Sequence, residues 1–265
     1  MSFAQLRALA ISIAESAGEL LMERPHDLDV NSKSTPTDVV TIMDKRSEQH
    51  IVEQILSSRS SDGLVGEEGA DRIGSSGFRW VIDPLDGTVN YLYGLPGWCI
   101  SIAVQQERDG EWVTVAGAVH APTLQRLYSA HLGGGATLNK QLIRCSKPTS
   151  LAHSLIGTGF NYDQNSRMRQ GVLVASILGE VRDIRRAGAA ALDLCYVASG
   201  NLDAYFERGL HLWDYAAGAL IAQESGAVVS GLHPEQPAGF ELTLAGAPLT
   251  VSELRPLLIS GNAAF

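Results

Sequence analysis

In the segment Trp80-Val81-Ile82-Asp83-Pro84-Leu85-Asp86-Gly87-Thr88-Val89-Asn90, an apolar run ends on an acid and a proline follows at once. The run Phe78 to Ile82 is rich in aromatic and β-branched residues, so it reads as a short buried strand. Such a strand delivers Asp83 at its C-terminal end, where open α/β sheets place their chemistry. Pro84 fixes φ and removes a backbone donor, so a tight turn is expected there. Asp86, three residues on, would then aim its carboxylate at the same point as Asp83. Two carboxylates held together repel, and unless one is protonated they need a cation between them. Gly87 and Thr88 would start a helix, whose free N–H groups favour an anion. A divalent metal beside a phosphate pocket satisfies all of these features. The competing reading makes Asp86 a plain helix N-cap.

Other acids belong to the same picture. Val65-Gly66-Glu67-Glu68-Gly69 places carboxylates at another strand end, sixteen residues before Asp83, with Glu68 read as a solvated loop acid. Glu207 and Asp214 flank His211 and Trp213, and Asp214 opens the small-residue run Ala216-Ala217-Gly218. An ordinary N-cap is the competing role for Asp214, and His211 beside a tryptophan is expected to pack. An all-oxygen donor set favours Mg²⁺ over zinc. The chain carries no G-x-x-x-x-G-K-[ST], H-E-x-x-H or G-x-S-x-G, and Gly157-Thr158-Gly159 lacks the third glycine of a dinucleotide fingerprint. Asp27-Leu28-Asp29 follows no buried strand and reads as an exposed turn.

The overall charge narrows the partners. Twenty Lys and Arg against 29 Asp and Glu leave a net −9 on 265 residues. That opposes nucleic-acid binding by phosphate neutralisation and opposes a polybasic membrane anchor. No run approaches the ~18 apolar residues of a membrane span. Neither a membrane nor a nucleic-acid partner is expected. Cys99, Cys145 and Cys195 are odd in number and form no C-x-x-C pair, so we read three small buried hydrophobes and a cytoplasmic protein. Phe3, Leu6, Leu9, Ile13, Ala17 and Leu20 recur at steps of three and four, the stripe of a mature first helix. With only Arg7 before the short apolar run and Glu15 after it, a signal peptide is not expected.

Two halves are expected. Residues 1–147 read as an α+β part with the metal-binding loops and an antiparallel sheet. It has a helix from about Met43 to Ser58, opened by the capping-box pattern Thr41-x-x-Asp44, and strands Cys99–Gln106 and Trp112–His120 joined at Asp109-Gly110. Residues 148–265 alternate strands near Leu155–Thr158, Val181–Ile184, Asp203–Phe206, Ala227–Val229 and Leu242–Ala245 with helices, an α/β pattern that completes one catalytic unit.

These motifs, in their order, resemble the inositol monophosphatases. The match rests on Asp38-x-Val40-Thr41-x-x-Asp44, Gly66-Glu67-Glu68, Asp83-Pro84-Leu85-Asp86-Gly87-Thr88-x-Asn90 and Trp213-Asp214-x-Ala216-Ala217-Gly218, spread over nearly the whole chain. The resemblance implies a layered α/β/α/β/α sandwich, a homodimer, and lithium-sensitive, Mg²⁺-dependent hydrolysis of a small phosphate monoester, inositol 1-phosphate first. It implies that Glu67, Asp83 and the Leu85 carbonyl hold one Mg²⁺, that Asp83, Asp86 and Asp214 hold a second, and that a loosely held third sits near Glu67. Thr88, hydrogen-bonded to Asp44, would orient the attacking water. Gly87 and Thr88 amides would grip phosphate, Gly188, Ala190, Glu207 and Asp214 would face the sugar-like part, and Lys33 matches a lysine near the metal loop. Gly157-Thr158-Gly159 and Tyr91 depart from the common pattern near positions that touch substrate. The motif does not separate inositol 1-phosphate from histidinol phosphate, fructose 1,6-bisphosphate or 3′-phosphoadenosine 5′-phosphate. A non-catalytic regulator on the same fold is the rival from another class.

Overall fold

The N-terminal stripe forms helix α1 (Phe3–Met22) in the computed structural model, which describes residues 1–33 and 35–261. Residue 34 and residues 262–265, the last of the expected second half, lie outside that description. Ser2 and Gln5 close a capping box at the start of α1, and its buried line is Leu6, Ala10, Ile13, Ala14, Ala17 and Leu21. Phe3, Leu9 and Leu20 flank that line and are only partly buried. A short hairpin, β1 (Asn31–Ser32) with β2 (Val39–Val40), leads into α2 (Ile42–Ser58). Thr41 caps α2, and its amide donates to Asp44 Oδ2 at 2.8 Å, the expected capping box. Asp27-Leu28-Asp29 is a turn closed by the Asp29 amide on Asp27 Oδ1, although Leu28 itself is buried.

Strands β3 (Gly63–Gly66), β4 (Phe78–Asp86), β5 (Cys99–Arg108), β6 (Glu111–Ala121), β7 (Arg126–His131), β8 (Ala136–Leu138) and β9 (Gln141–Leu142) form a seven-stranded sheet in chain order. Only β3 and β4 run parallel. The β5–β6 turn at Asp109-Gly110 has φ of 52° and 84°, the left-handed pair a tight hairpin requires. Alternation along β4 sorts its side chains. Trp80 and Ile82 join the core under α1 and α2, whereas Val81 joins the core on the opposite face.

The expected turn at Pro84 is instead a bulge. Asp83 pairs with Ser101 and Asp86 with Cys99, so three residue steps on β4 oppose two on β5. The extra residue resets the alternation, and Asp83 and Asp86, which an unbroken strand would point to opposite faces, share the face of Val81. Pro84 sits in that irregularity, where its missing N–H interrupts no regular pairing. The chain reverses only at Gly87 (φ 89°), which caps α3 (Thr88–Leu92). At five residues α3 is little more than one turn, so the helix dipole expected there is small.

The second sheet has β10 (Leu155–Thr158), β11 (Asp183–Arg185), β12 (Ala204–Glu207), β13 (Val228–Ser230) and β14 (Thr243–Gly246) in the order β11-β10-β12-β14-β13. The first three are parallel and β14 is antiparallel to both neighbours. Helices α4 (Gln164–Ile177) and α7 (Pro248–Gly261) cover its outer face, with Leu173, Ile177, Leu254 and Leu258 buried against Ile156 and Phe206. Helices α5 (Ala190–Ala198) and α6 (Leu212–Glu224) fill the space between the sheets, packing on Val81 and Val119 of one and on Tyr205 and Ala245 of the other. Their alanines keep this middle layer thin. The result is an α/β/α/β/α sandwich. No helix of the described residues is long and apolar enough to cross a membrane. Cys99 and Cys195 are buried as expected, but Cys145 is only partly buried, because it lies in the connection between the sheets and not in an element facing a core.

Candidate active site

A cavity of about 400 Å³ opens where the β4 bulge faces the N-termini of α5 and α6. Asp83 reaches it from the bulge, and its Oδ1 accepts the Leu85 amide at 3.1 Å. Asp86 accepts the first amides of α5, Ala190 N at 3.2 Å and Ala191 N at 2.8 Å. It therefore caps a helix from the other half of the chain and not its own. The Cys99 thiol also donates to it, at 3.5 Å. Asp214 stands in the first turn of α6, three residues past the capping position, and its Oδ2 accepts the His211 amide at 2.6 Å. The competing N-cap role thus falls to His211, whose ring stacks on Trp213 with centroids 4.9 Å apart and lies 5.6 Å from the Phe240 ring.

These acids are buried close together, and burial dominates their protonation. It raises Asp83 and Asp214 well above the usual carboxylate range, with Glu67 and Asp86 adding to both. Asp86 is pushed up to about 7, again mainly by burial. Such a cluster takes up protons or a cation. Among the described residues no three His, Cys, Asp or Glu side chains close into a cation site. At the edge of the cluster the Lys33 ammonium donates to Glu67 Oε1 at 2.8 Å and to Glu68. Burial alone would pull Lys33 down, but the two glutamates outweigh it and hold the ammonium above its usual range. Glu68 is therefore a shielded partner of Lys33 and not the solvated loop acid expected. The donor set itself fits a hard divalent ion: every candidate ligand is oxygen, and backbone amides orient Asp83, Asp86 and Asp214.

Behind the acid cluster lies Asp44. It is fully buried, which raises its pKa, and it accepts three hydrogen bonds: Thr41 N, Thr41 Oγ1 at 2.6 Å and Thr88 Oγ1 at 2.9 Å. Thr88 also approaches the Leu85 carbonyl at 3.1 Å. Of the residues expected at the site, Lys33, Glu67, Asp83, Leu85, Asp86, Gly87, Thr88, Gly188, Ala190, Glu207 and Asp214 line the cavity, and Asp44 reaches it only through Thr88. Tyr91 does not approach substrate space. It is buried against Trp98, and its hydroxyl donates to the Leu21 carbonyl at 2.8 Å, pinning α3 to the end of α1.

Sequence reasoning passed over Glu48. Its carboxylate accepts the amides of Glu68 at 2.9 Å and Ala70 at 3.1 Å and so shapes the loop carrying Glu67. A side chain on Gly66 would stand 2.2 Å from Glu48 Oε2, so the glycine of Gly66-Glu67-Glu68 makes room for that carboxylate. The available signal was the i, i+4 step from Asp44 to Glu48 along the apolar face of α2, which also buries Ile51 and Ile55. Arg186, Tyr162 and Phe240 also line the cavity from loops whose positions no local pattern reveals.

A family model described as the inositol monophosphatase family matches residues 3–260. The chain belongs to the inositol monophosphatase family. The inositol-1-monophosphatase SuhB of Mycobacterium tuberculosis is 40% identical to it over 271 residues, covering 95% of this chain and 92% of the relative. A protein of Pasteurella multocida named Nus factor SuhB is 39% identical over 254 residues, covering 93% and 92%. The solved structure of a Thermotoga maritima IMPase superposes with a TM-score of 0.86 at 30% identity, covering 96% of each chain. Membership of the inositol monophosphatase family and these relatives support a phosphatase built on this five-layered fold.

Proposed function

We propose that the chain is a Mg²⁺-dependent phosphomonoesterase that converts myo-inositol 1-phosphate to inositol and phosphate. The observation that carries this reading is the Thr88–Asp44 hydrogen bond beside the buried acids. The Thr88 proton lies between Asp44 Oδ1 at 2.9 Å and the Leu85 carbonyl at 3.1 Å, both acceptors, so the hydroxyl oxygen keeps its lone pairs for the cavity. There it accepts a hydrogen from water and aligns that water for attack on phosphorus. Glu67, Asp83 and the Leu85 carbonyl would hold one Mg²⁺ and Asp83, Asp86 and Asp214 a second, and a loosely held third would sit near Glu67, where it would compete with Lys33. Bound there, Mg²⁺ supplies Lewis-acid screening of the phosphate and of the leaving alkoxide. Gly87 and Thr88 offer amides to the phosphate, Gly188 and Ala190 line the wall beside it, and Glu207 accepts hydrogen bonds from substrate hydroxyls.

The name inositol-1-monophosphatase, carried by a relative 40% identical, supports inositol 1-phosphate as substrate. Phosphate release with Mg²⁺ from inositol 1-phosphate, histidinol phosphate, fructose 1,6-bisphosphate and 3′-phosphoadenosine 5′-phosphate tests the choice. The largest kcat/KM on inositol 1-phosphate is expected, and a larger one on any other ester reassigns the substrate. The reading includes a homodimer, by family resemblance, and a cytoplasmic location, in line with three unpaired thiols. A second, regulatory role is favoured by the Nus factor name of the Pasteurella relative. The intact acid cluster supports catalysis whether or not that role is also present.

A further inference from the structure

Gly157-Thr158-Gly159 stands unexplained by the catalytic scheme, and its place in the sheet gives it a use. Strand β10 pairs with β12 so that Gly157 lies opposite Tyr205 and Thr158 opposite Phe206, and Gly159 comes level with Glu207. Tyr205 and Glu207, two apart on β12, project on the same side, toward the α5–α6 layer. The Tyr205 hydroxyl donates to Glu207 Oε2. The tyrosine is wholly buried and lies outside the cavity, while Glu207 lines it. Gly159 clears space for the carboxylate of this pair. A Cβ on Gly159 would stand 1.8 Å from Glu207 Oε2, whereas one on Gly157 would meet Leu202 Cδ1 at 2.7 Å before Tyr205 Cδ2 at 3.2 Å.

We infer that Tyr205 is a positioning residue, which with Gly159 holds the Glu207 carboxylate to read neighbouring hydroxyls on the leaving group of a polyol phosphate. The inference rests on the phosphomonoesterase reading. A free glutamate has three rotatable side-chain bonds and loses their freedom on binding. The tyrosine ring, locked in the interlayer core, removes that freedom beforehand by taking one oxygen, and it leaves for substrate Oε1, which accepts no hydrogen bond among the described residues. Thr158 adds rigidity from the other side of the strand, donating to the Phe206 carbonyl at 2.9 Å.

The test is Tyr205→Phe, which keeps the ring and deletes the donor. A hydrogen bond to a charged acceptor supports an effect of roughly tenfold. Tyr205→Phe is expected to raise KM for inositol 1-phosphate about that much with kcat nearly unchanged, and to leave p-nitrophenyl phosphate kinetics as they were. Gly159→Ala, which displaces the carboxylate, is expected to reproduce the KM rise. Tyr205→Phe combined with Glu207→Gln is expected to be no worse than Glu207→Gln alone. Calorimetric binding of inositol 1-phosphate to the same proteins in excess EDTA reads the effect without turnover, with the same roughly tenfold weakening. Equal losses on both phosphate esters, an unchanged KM and affinity in a folded Tyr205→Phe protein, or multiplying losses in the double variant would overturn the inference. Loss of turnover on every ester by the unmodified protein would sink the phosphatase reading instead, and the binding comparison would still judge Tyr205.

Discussion

Thr88 Oγ1 donates to Asp44 Oδ1 at 2.9 Å, while the other oxygen of the same carboxylate closes the capping box of α2. One buried acid thus ties the start of a long helix to the hydroxyl at the cavity edge. Thr88→Ala is expected to lower kcat by ~10²- to 10⁴-fold, the usual span for a positioned proton acceptor. Calorimetric Mg²⁺ affinity should stay nearly intact. If Asp44 acts through Thr88, Asp44→Asn combined with Thr88→Ala costs no more than the worse single change. Losses that multiply would make Asp44 a capping acid alone.

Glu67, Asp86 and Asp214 all bear on the protonation of Asp83, the carboxylate proposed to serve both cations. Asp83→Asn is therefore expected to weaken Mg²⁺ binding more than Glu67→Gln does. Removing one buried acid also relieves repulsion, so the metal-free variant should melt about 2–4 °C higher than the unmodified protein, the scale of ~1 kcal/mol. A larger Mg²⁺ loss in Glu67→Gln would put the shared ligand elsewhere.

Lys33 pairs with Glu67 and Glu68, one of which is a proposed Mg²⁺ ligand. Its ammonium therefore competes with the metal for the same carboxylate. Lys33→Met should tighten Mg²⁺ binding severalfold in a calorimetric titration. Weaker binding in the variant would show that the lysine organises the loop for the metal and does not oppose it.

Many local features were legible from local rules. The stripe of α1, the Thr41–Asp44 box and the Asp109-Gly110 hairpin each depend on residues a few positions apart. The β4 bulge was not, because its extra residue is defined only against β5. That bulge, and not a turn at Pro84, brings Asp83 and Asp86 to one face. The same limit hid the pairing of Lys33 with Glu68, the Glu48 support and the inward burial of Tyr91, since each partner lies on another element. The acids of the cavity were visible because they sit in contiguous motifs, whereas Arg186 and Phe240 enter from separate loops.

Burial lifts Glu207 from 4.5 to about 7. In that window the unfolded chain releases the proton before the folded one does, so the folded protein binds more protons and stability falls as pH rises. Metal-free melts between pH 5 and pH 8 should therefore show the unmodified protein losing ground to Glu207→Gln as pH increases. A constant difference across the range would mean that Glu207 carries no shifted proton in the fold.

The central claim is that the acid cluster works with Mg²⁺ on a phosphate monoester. Phosphate release from inositol 1-phosphate, measured first in excess EDTA and then during Mg²⁺ titration, tests it most directly. The account predicts no turnover in EDTA, recovery with Mg²⁺, and inhibition of the recovered activity by Li⁺. Full activity after exhaustive chelation, or no activity at any Mg²⁺ concentration, would contradict it.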